Sequence, residues 1–399
     1  MIMSQQSHRP PVAGDAGAHV VRAGFMQLVD SAPLIVAAER GFASAEGLRL
    51  ELSRQTSWAN IRDRINIGHL DVAQMLAGMP IASTLGIAHV TVPVLTPFSF
   101  GLGGNAIALG RDLFDDLAAT GVDWRADARS AATALARVVD TRNAQRQRPL
   151  VLGMVFPFSS HNFELRYWLA SAGIDPDHDV RLVVIPPPMM VDSMRAGQID
   201  GFCVGEPWAS MAVDSGIAAI VAFKQDIWAS IPEKVLGVRE NWALQNTEVL
   251  RRLLRALKRA AGWSADPANR EDLIRLLSQE AFVGTPERVL RRILSGDLTV
   301  HPDGARRTYP DFLAFGGGSC VPDVRGMMWI YSQMVRWGQV IHSPENESLA
   351  RGVCRPDLLI DAIGGEATPS GPAGAPFIDG RTFDDNDIAG YVASGDVKE

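Results

Sequence analysis

The stretch VVRAGFMQLVDSAPLIVAAERGFASAEGLRLELS, residues 20–53, decides the fold class of this chain. Residues 20–28 begin with β-branched side chains and stay largely apolar, which predicts a strand. The apolar run that follows has Pro33 in its first turn and Gly41 at its end, which predicts a helix with Ser31 as its cap. Residues 48–53 alternate apolar and polar side chains, as a strand does. Strand, helix and strand in this order indicate an α/β fold.

The same alternation continues along the chain in two series, which predicts two α/β lobes, each with a mostly parallel sheet and helices on both faces. The first series has a helix over 60–68, a strand over 71–74, a helix over 78–86 and a strand over 90–95. The second has a helix over 112–120, an exposed helix and linker over 123–148, strands over 150–156, 180–185 and 201–204, and helices over 161–172 and 190–197.

The last third of the chain is predicted to be helical, over 247–263 with Thr247 as N-cap, and over 270–280, 286–295 and 327–337. After that, Gly, Pro and Asp become frequent, which indicates a wrapping or flexible tail. The expected domains are a disordered lead (1–19), lobe 1 (20–104 plus 235–345), lobe 2 (105–234) and the tail (346–399).

The composition excludes several classes of function. The chain has 399 residues, 47% of them hydrophobic, and a formal net charge of -7, so it has no basic field for direct contact with nucleic acid. Cys203, Cys320 and Cys354 lie far apart and form no zinc or redox motif, so we expect free buried thiols.

Membrane insertion and export are also not expected. Residues 72–110 carry no charge but are interrupted by glycines and prolines, so a spanning helix is not predicted. The N-terminus lacks the basic start and apolar stretch of a secretory signal. We expect a cytoplasmic protein, or a periplasmic one if a signal has been removed.

Three strand-to-helix junctions carry the polar side chains that suit a ligand: residues 57–60 (SWAN), 159–162 (SSHN) and 205–208 (GEPW). Ligands of open α/β sheets bind at the carboxyl ends of the strands, where such junctions lie. Helix N-termini offer free N–H groups and a partial positive charge, which favours an anion.

Individual side chains at these places have a structural explanation as well as a functional one. Trp58 offers an indole N–H to an anion, but a core aromatic residue is the alternative. His161 is a donor or a structural histidine, and Lys234 is the matching cation or a solvated surface lysine in a turn. Glu206 is a cap or a hinge, because an anion site would not favour its carboxylate.

Catalytic motifs are weak in this sequence. The segment GLGG, residues 101–104, lacks the GK[ST] of a phosphate loop, and neither G-x-S-x-G nor HExxH occurs. We therefore expect no enzymatic activity, no metal and no cofactor.

Long stretches resemble the nitrate- and bicarbonate-binding proteins of ABC transporters. They are residues 24–48 (GFMQLVDSAPLIVAAERGFASAEGL), 57–87 (SWANIRDRINIGHLDVAQMLAGMPIASTLGI), 166–177 (RYWLASAGIDPD), 197–208 (GQIDGFCVGEPW) and 232–242 (PEKVLGVRENW). The resemblance implies a type II periplasmic-binding-protein fold, with two α/β lobes and a ligand cleft between them.

The resemblance also implies a set of ligand-binding residues. Trp58, His161 and Lys234 fall on positions that hold the anion in the family, and Asn105 is our choice for the amide ligand, with Gly101 nearby. The lysine favours nitrate or nitrite over bicarbonate, because the bicarbonate-binding relatives are expected to use calcium and carboxylates.

The resemblance leaves three functions to compare. The first is a cytoplasmic nitrate/nitrite sensor that holds an RNA-binding antiterminator and releases it when the anion binds. The alternative is the solute-binding component of a nitrate/nitrite ABC transporter, whose partner is a permease. The third is an enzyme of the related thiamine-pyrimidine synthesis family, but the sequence lacks the Cys-rich loop that it would need.

Overall fold

The structure is a computed structural model that describes residues 18–87, 90–228, 232–370 and 375–395. The predicted lead therefore lies almost wholly outside the described residues. The chain forms two compact units. Unit 1 comprises the described residues up to 102, 232–291 and 313–370, and unit 2 comprises 103–228, 292–312 and 375–395.

The strands are, in chain order, β1 (His19–Met26), β2 (Leu48–Gln55), β3 (Val72–Leu76), β4 (Val94–Leu95), β5 (Leu102–Gly103), β6 (Asn105–Gly110), β7 (Leu150–Met154), β8 (Val180–Val184), β9 (Gly201–Gly205), β10 (Ala218–Phe223), β11 (Lys234–Arg239), β12 (Asp297–Thr299), β13 (Arg306–Thr308) and β14 (Leu313–Ala314).

The α-helices are α1 (Ala32–Glu39), α2 (Trp58–Asn66), α3 (Gly78–Thr84), α4 (Phe114–Ala119), α5 (Ala128–Ala144), α6 (Ser160–Ala170), α7 (Met190–Arg195), α8 (Trp208–Asp214), α9 (Lys224–Ile227), α10 (Glu240–Gln245), α11 (Thr247–Ala265), α12 (Arg270–Leu277), α13 (Glu287–Ser295), α14 (Val324–Arg336), α15 (Pro344–Val353), α16 (Pro356–Ile363) and α17 (Ile388–Ala393).

The sheet of unit 1 has the order β2-β1-β3-β11-β4. β1 runs parallel to β2 and β3, as the alternation predicts. β11 runs antiparallel to both β3 and β4, so the prediction of a mostly parallel sheet is corrected to a mixed sheet. The physical reason is that β11 comes from a distant part of the chain, so no crossover helix constrains its direction.

The sheet of unit 2 has the order β10-β6-β9-β7-β8 and is mixed for a similar reason. β7 is parallel to β8 and β9, whereas β6 is antiparallel to β9 and β10. The residue pattern alone predicted neither β6 nor β10, although both are largely apolar and completely buried, and only the family resemblance implied a crossover strand near Asn105. Buried strands lack the polar–apolar alternation on which that prediction relied.

Two helix caps differ from the predicted ones. The hydroxyl of Ser31 donates to the carbonyl of Leu28 at 2.6 Å and makes no cap bond to α1. The hydroxyl of Thr247 donates back to Ala243 and Leu244, and Asn246 is the N-cap of α11. In both places the hydroxyl donates to the preceding turn, and the position before the helix makes no side-chain cap hydrogen bond.

Two segments that were predicted to be exposed or flexible contain packed elements. α5, expected as an exposed helix, buries one face, with Leu135 and Val139 among its buried residues. The region 346–395 contains α16 and α17 and most of α15. In unit 2, Phe377 packs against Trp228 with 4.6 Å between ring centroids and against Tyr167 with 5.0 Å.

Within the described ranges, no helix is long and apolar enough to cross a membrane. The three cysteines are free and buried, as the sequence analysis expected. Their burial makes them part of the packing of the units rather than an exposed redox group.

Candidate functional site

Lys234 is the first residue of β11, and its side chain is completely buried. Its ammonium lies 3.0 Å from Oδ2 of Asp30 and 2.6 Å from Oε1 of Glu233. The alternative of a solvated surface lysine in a turn is therefore wrong. A buried ammonium needs such partners, because removing an unpaired charge from water costs several kcal/mol of free energy.

Asp30 is fixed by a chain of hydrogen bonds that begins on β1. The backbone N–H of Met26 donates to Oε1 of Gln74 at 2.9 Å, and Nε2 of Gln74 donates to Oδ1 of Asp30 at 2.6 Å. Gln74 lies on β3, next to β11, and is completely buried. Both oxygens of Asp30 thus accept from donors on neighbouring strands, which fixes the carboxylate beside Lys234.

We call Asp30, Glu233 and Lys234 the ion cluster. The neighbouring carboxylates raise the pKa of Lys234 above its ordinary value, although burial acts in the opposite direction. Burial raises the pKa of Asp30, with a contribution from the charge of Glu233 that the ammonium of Lys234 opposes. The cluster therefore holds a charged lysine and a carboxyl, that of Asp30, which binds a proton more readily than a solvated carboxyl would.

Trp58 is the first residue of α2, which begins there because Ser57 accepts a hydrogen bond from the N–H of Asn60. The indole is 1% exposed, and among the described residues its Nε1–H has no hydrogen-bond partner. The ammonium of Lys234 lies 5.9 Å from the centre of the Trp58 ring. A buried donor without a partner is rare in folded proteins, so this N–H marks a place where an acceptor fits.

Gly101 occupies a backbone conformation that suits glycine, with φ of 144°. A Cβ at this position would come within 2.6 Å of the carbonyl oxygen of Ala314. The carbonyl of Gly101 accepts from the hydroxyl of Ser99 at 3.2 Å. The glycine is therefore required by close backbone packing within unit 1, and this packing explains it without a ligand.

The predicted junction of unit 2 lies at the start of α6. Ser159 caps this helix by accepting from the N–H of Asn162 at 3.0 Å, and its own hydroxyl donates to the carbonyl of Phe156 at 2.6 Å. Ser160 and His161 follow, and both are completely buried. The hydroxyl of Ser159 is therefore engaged at the start of the helix itself.

Asn105 begins β6 and contacts the same helix through Glu164. Its amide nitrogen lies 3.1 Å from both carboxylate oxygens of Glu164, to which it donates. Glu164 is 1% exposed, and the thiol of Cys203 lies 3.9 Å from its Oε2. The amide donor that we assigned to the anion is thus engaged by a buried carboxylate in this structure.

Glu206 follows β9 and is completely enclosed. Its two oxygens accept from the backbone N–H of Ser210 at 3.1 Å and from the hydroxyl of Ser210 at 2.9 Å. Burial raises the pKa of Glu206 to about 7. The first residue of α8 is Trp208, and Pro207 is its N-cap rather than its first residue.

The structure thus brings Trp58 and Lys234 together in unit 1, and it connects Asn105 through Glu164 to the helix of His161 in unit 2. The sequence analysis missed Asp30, Gln74, Glu233 and Glu164. The adjacent pair Glu233 and Lys234 was visible in the sequence, but nothing there showed that both are buried. No group of three or more His, Cys, Asp and Glu side chains in the described ranges could hold a metal ion.

The buried donors and the two-unit α/β architecture define the class of protein. The chain resembles the crystal structure of the periplasmic nitrate-binding protein NrtA from Synechocystis PCC 6803, with a TM-score of 0.85 and 26% identity over 95% of this chain and 99% of that one. The fold is the type II periplasmic-binding-protein fold. The class is that of solute-binding proteins.

Residues 14–278 match the model of the NMT1-like family, and the chain belongs to this family. The nitrate/nitrite binding protein NrtA of Synechococcus elongatus is 31% identical over 93% of this chain and 85% of its own length. The nitrate import ATP-binding protein NrtC of Synechocystis sp. is 37% identical over 92% of this chain. That match covers 54% of NrtC, so the chain spans about half the length of this relative.

Proposed function

We propose that this chain is a nitrate- or nitrite-binding protein and that the anion accepts hydrogen bonds from Trp58 and Lys234. The observation that carries the proposal is the buried indole N–H of Trp58, which has no partner among the described residues. An ammonium has three N–H groups, and contacts to Asp30 and Glu233 account for two of those of Lys234. Both side chains therefore have a donor left for an acceptor.

The chemistry of the donors favours a small oxyanion. The ring of Trp58 and the ammonium of Lys234 are within cation–π distance, so an acceptor near both would meet a donor and a positive charge. The names of relatives such as NrtA and NrtC support nitrate or nitrite as the anion. His161, Asn105 and Gly101 stay in the proposal as further ligands on the family resemblance, and each needs its own test.

Calorimetry with purified protein tests this proposal. Nitrate and nitrite are titrated separately, with sulfate and with bicarbonate plus calcium as comparisons. We expect saturable binding of nitrate or nitrite and much weaker binding of the comparisons. Binding of bicarbonate with calcium, but of neither nitrate nor nitrite, would overturn it.

The wider role that the relatives support better is the solute-binding component of an ABC transporter. NrtC is named for nitrate import and NrtA for nitrate/nitrite binding. The alternative is the cytoplasmic sensor that releases an RNA-binding antiterminator when it binds the anion. Immobilised protein with and without nitrate separates them: a permease retained from detergent extracts supports transport, and an RNA-binding protein released by nitrate supports sensing.

A further inference from the structure

Gln74 is the polar residue of β3, a strand whose five residues are all buried and whose other four side chains are apolar. Both ends of its amide are engaged. Oε1 accepts from the backbone N–H of Met26 at 2.9 Å, and Nε2 donates to Oδ1 of Asp30 at 2.6 Å. An apolar side chain is the ordinary occupant of a position buried to this degree, so the amide calls for a specific explanation.

Gln74 and Lys234 lie on the same face of the sheet of unit 1. In the antiparallel register of β3 and β11, Gln74 is opposite Leu236 and Lys234 is opposite Leu76. The two side chains are therefore diagonal neighbours, because side chains two residues apart on a strand share a face. Such neighbours are about 7–8 Å apart. The carboxylate of Asp30 bridges this gap, since its Oδ2 lies 3.0 Å from the ammonium of Lys234.

The contact with Asp30 restrains the direction of the ammonium of Lys234. The other printed-chain neighbour of that ammonium is Glu233, the preceding residue, at 2.6 Å. A single contact leaves an ammonium free to turn about it, whereas a second contact from another element fixes the direction of the remaining N–H. Asp30 comes from the turn between β1 and α1, so its position determines where Lys234 can donate to an anion.

We propose that Gln74 is a positioning residue for anion binding: it holds Asp30 in the place from which Asp30 directs the ammonium of Lys234. The proposal rests on the proposed function, because it concerns the anion that Lys234 would bind. The anchor of Gln74 is the backbone N–H of Met26, the last residue of β1, so the support begins on the strand itself. A site whose supporting hydrogen bonds are fixed by the scaffold holds its ligand groups more accurately than one without them.

Gln74→Met removes both hydrogen bonds and keeps an unbranched side chain of similar length. Calorimetry of the full chain with potassium nitrate distinguishes a positioning role from a merely structural one. Loss of positioning raises the dissociation constant and leaves the number of sites per molecule unchanged. Loss of structure lowers the number of competent molecules and leaves their dissociation constant unchanged. We expect the dissociation constant to rise about tenfold, as when hydrogen bonds behind a metal ligand are removed.

Gln74→Glu is the conservative variant that should restore binding. At about pH 5 the introduced carboxyl is neutral, because burial and the neighbouring Asp30 raise its pKa. A neutral carboxyl can accept from Met26 and donate to Asp30, as the amide does. At this pH Gln74→Glu should bind nitrate nearly as tightly as wild type, whereas Gln74→Met should stay about tenfold weaker.

Gln333→Met is the matched control. Gln333 lies on α14 in unit 1, is as completely buried as Gln74, and donates to the hydroxyl of Ser332 at 3.5 Å. This substitution should leave the nitrate affinity unchanged. If Gln74→Met does not fold, Gln74→Asn takes its place, because the shorter amide cannot reach from Met26 to Asp30.

The outcomes separate this proposal from the proposed function. An unchanged dissociation constant in Gln74→Met, or in Gln74→Asn where that variant replaces it, overturns the proposal and leaves the proposed function intact. Equal weakening by Gln333→Met does the same, and so does Gln74→Glu that binds nitrate as weakly as Gln74→Met at about pH 5. Wild-type protein that binds neither nitrate nor nitrite overturns the proposed function and this proposal with it.

Discussion

The ammonium of Lys234 lies 5.9 Å from the centre of the Trp58 ring, and both side chains are buried within the same unit. The ring and the carboxylates of Asp30 and Glu233 all face this cation. The indole N–H of the same ring has no partner in the described part of the chain. The pair therefore combines a compensated charge with an uncompensated donor, and substitutions can separate the two.

Trp58→Phe removes the indole N–H but keeps an aromatic ring. Since this N–H has no partner in the ligand-free protein, only the smaller apolar volume of phenylalanine should matter for stability. The free energy of unfolding should therefore fall by about 1 kcal/mol. A hydrogen bond to a charged group contributes about 1.5–3 kcal/mol, so nitrate affinity should fall about tenfold to hundredfold. Calorimetry and chemical denaturation measure the two effects.

Trp168→Phe is the matched control for this substitution. The Nε1–H of Trp168 donates to the carbonyl of Ala128 at 2.9 Å and is equally buried. Its removal leaves a buried carbonyl without that donor and should lower stability by about 1–3 kcal/mol with little change in affinity. If Trp58→Phe binds nitrate as tightly as wild type, Trp58 is not a ligand.

Lys234→Met removes the charge and keeps an unbranched side chain. It leaves Asp30 and Glu233 without their ammonium, so stability should fall by about 3–5 kcal/mol near neutral pH. The loss should shrink as the pH is lowered, because protonation removes the buried negative charge. Denaturation at two pH values and nitrate calorimetry provide the readouts.

Lys258→Met serves as the control, since Lys258 is only half-buried and donates to the carbonyl of Gly317. Its effect on nitrate affinity should be negligible. An unchanged nitrate affinity in Lys234→Met would exclude the lysine as a ligand.

Much of the fold could be predicted because the local signals are strong. α2 and α6 begin at Trp58 and Ser160, after the caps Ser57 and Ser159, close to the helix starts that the sequence predicted at residues 60 and 161. β6 and β11, which only the family resemblance implied, could not be predicted from the residue pattern, because their residues are almost all buried and show no alternation.

The candidate site could be predicted only in part. A long side chain such as Lys234 looks the same in sequence whether it is solvated or buried, and only the fold brings Asp30 and Gln74 to it. Tertiary contacts across some two hundred residues leave no local pattern. The same limit explains why the sequence suggested Asn105 as a ligand of the anion and did not reveal its hydrogen bonds to Glu164.

Asn105→Asp should reveal the role of Asn105. The substitution replaces the amide donor with a second carboxylate beside the buried Glu164. The free energy of unfolding should therefore fall by several kcal/mol. The loss should be larger at about pH 8 than at about pH 5, because like charges disfavour ionisation. Asn143→Asp is the control, since Asn143 is exposed and donates to Asp179. Equal effects of the two substitutions would contradict a buried amide–carboxylate contact.

Glu206 should make the stability of the protein depend on pH. Burial raises its folded-state pKa to about 7 from the ordinary value of 4.5, so the folded protein holds this proton more tightly than the unfolded chain. The contribution to stability is fully present below about pH 4.5 and is lost as the pH rises through about 7. At about 1.4 kcal/mol per pKa unit, the loss amounts to about 3 kcal/mol.

Glu206→Gln reproduces the neutral form, because its amide oxygen can accept from the N–H of Ser210 while its amide nitrogen donates to the hydroxyl of Ser210. The difference in the free energy of unfolding between variant and wild type should therefore grow in favour of the variant from about pH 5 to about pH 8. Urea denaturation over this range measures it, and comparison of the two proteins removes the effect of other groups. A difference that stays constant with pH would show that Glu206 does not titrate in this interval.

Phe377 tests whether the C-terminal segment is an integral part of unit 2. Its ring is 3% exposed and packs against Trp228 and Tyr167. The same segment provides the carbonyl of Ala375 to the indole of Trp228 and the carboxylate of Asp379 to the hydroxyl of Tyr167.

Phe377→Ala should lower the free energy of unfolding by about 3–5 kcal/mol, as the removal of an aromatic residue from a packed core does. Leu349→Ala, at a half-exposed leucine, should cost much less. Denaturation followed by tryptophan fluorescence compares the two variants. A loss below about 1 kcal/mol in Phe377→Ala would mean that the segment is not docked in solution, because no packed aromatic residue is removed so cheaply.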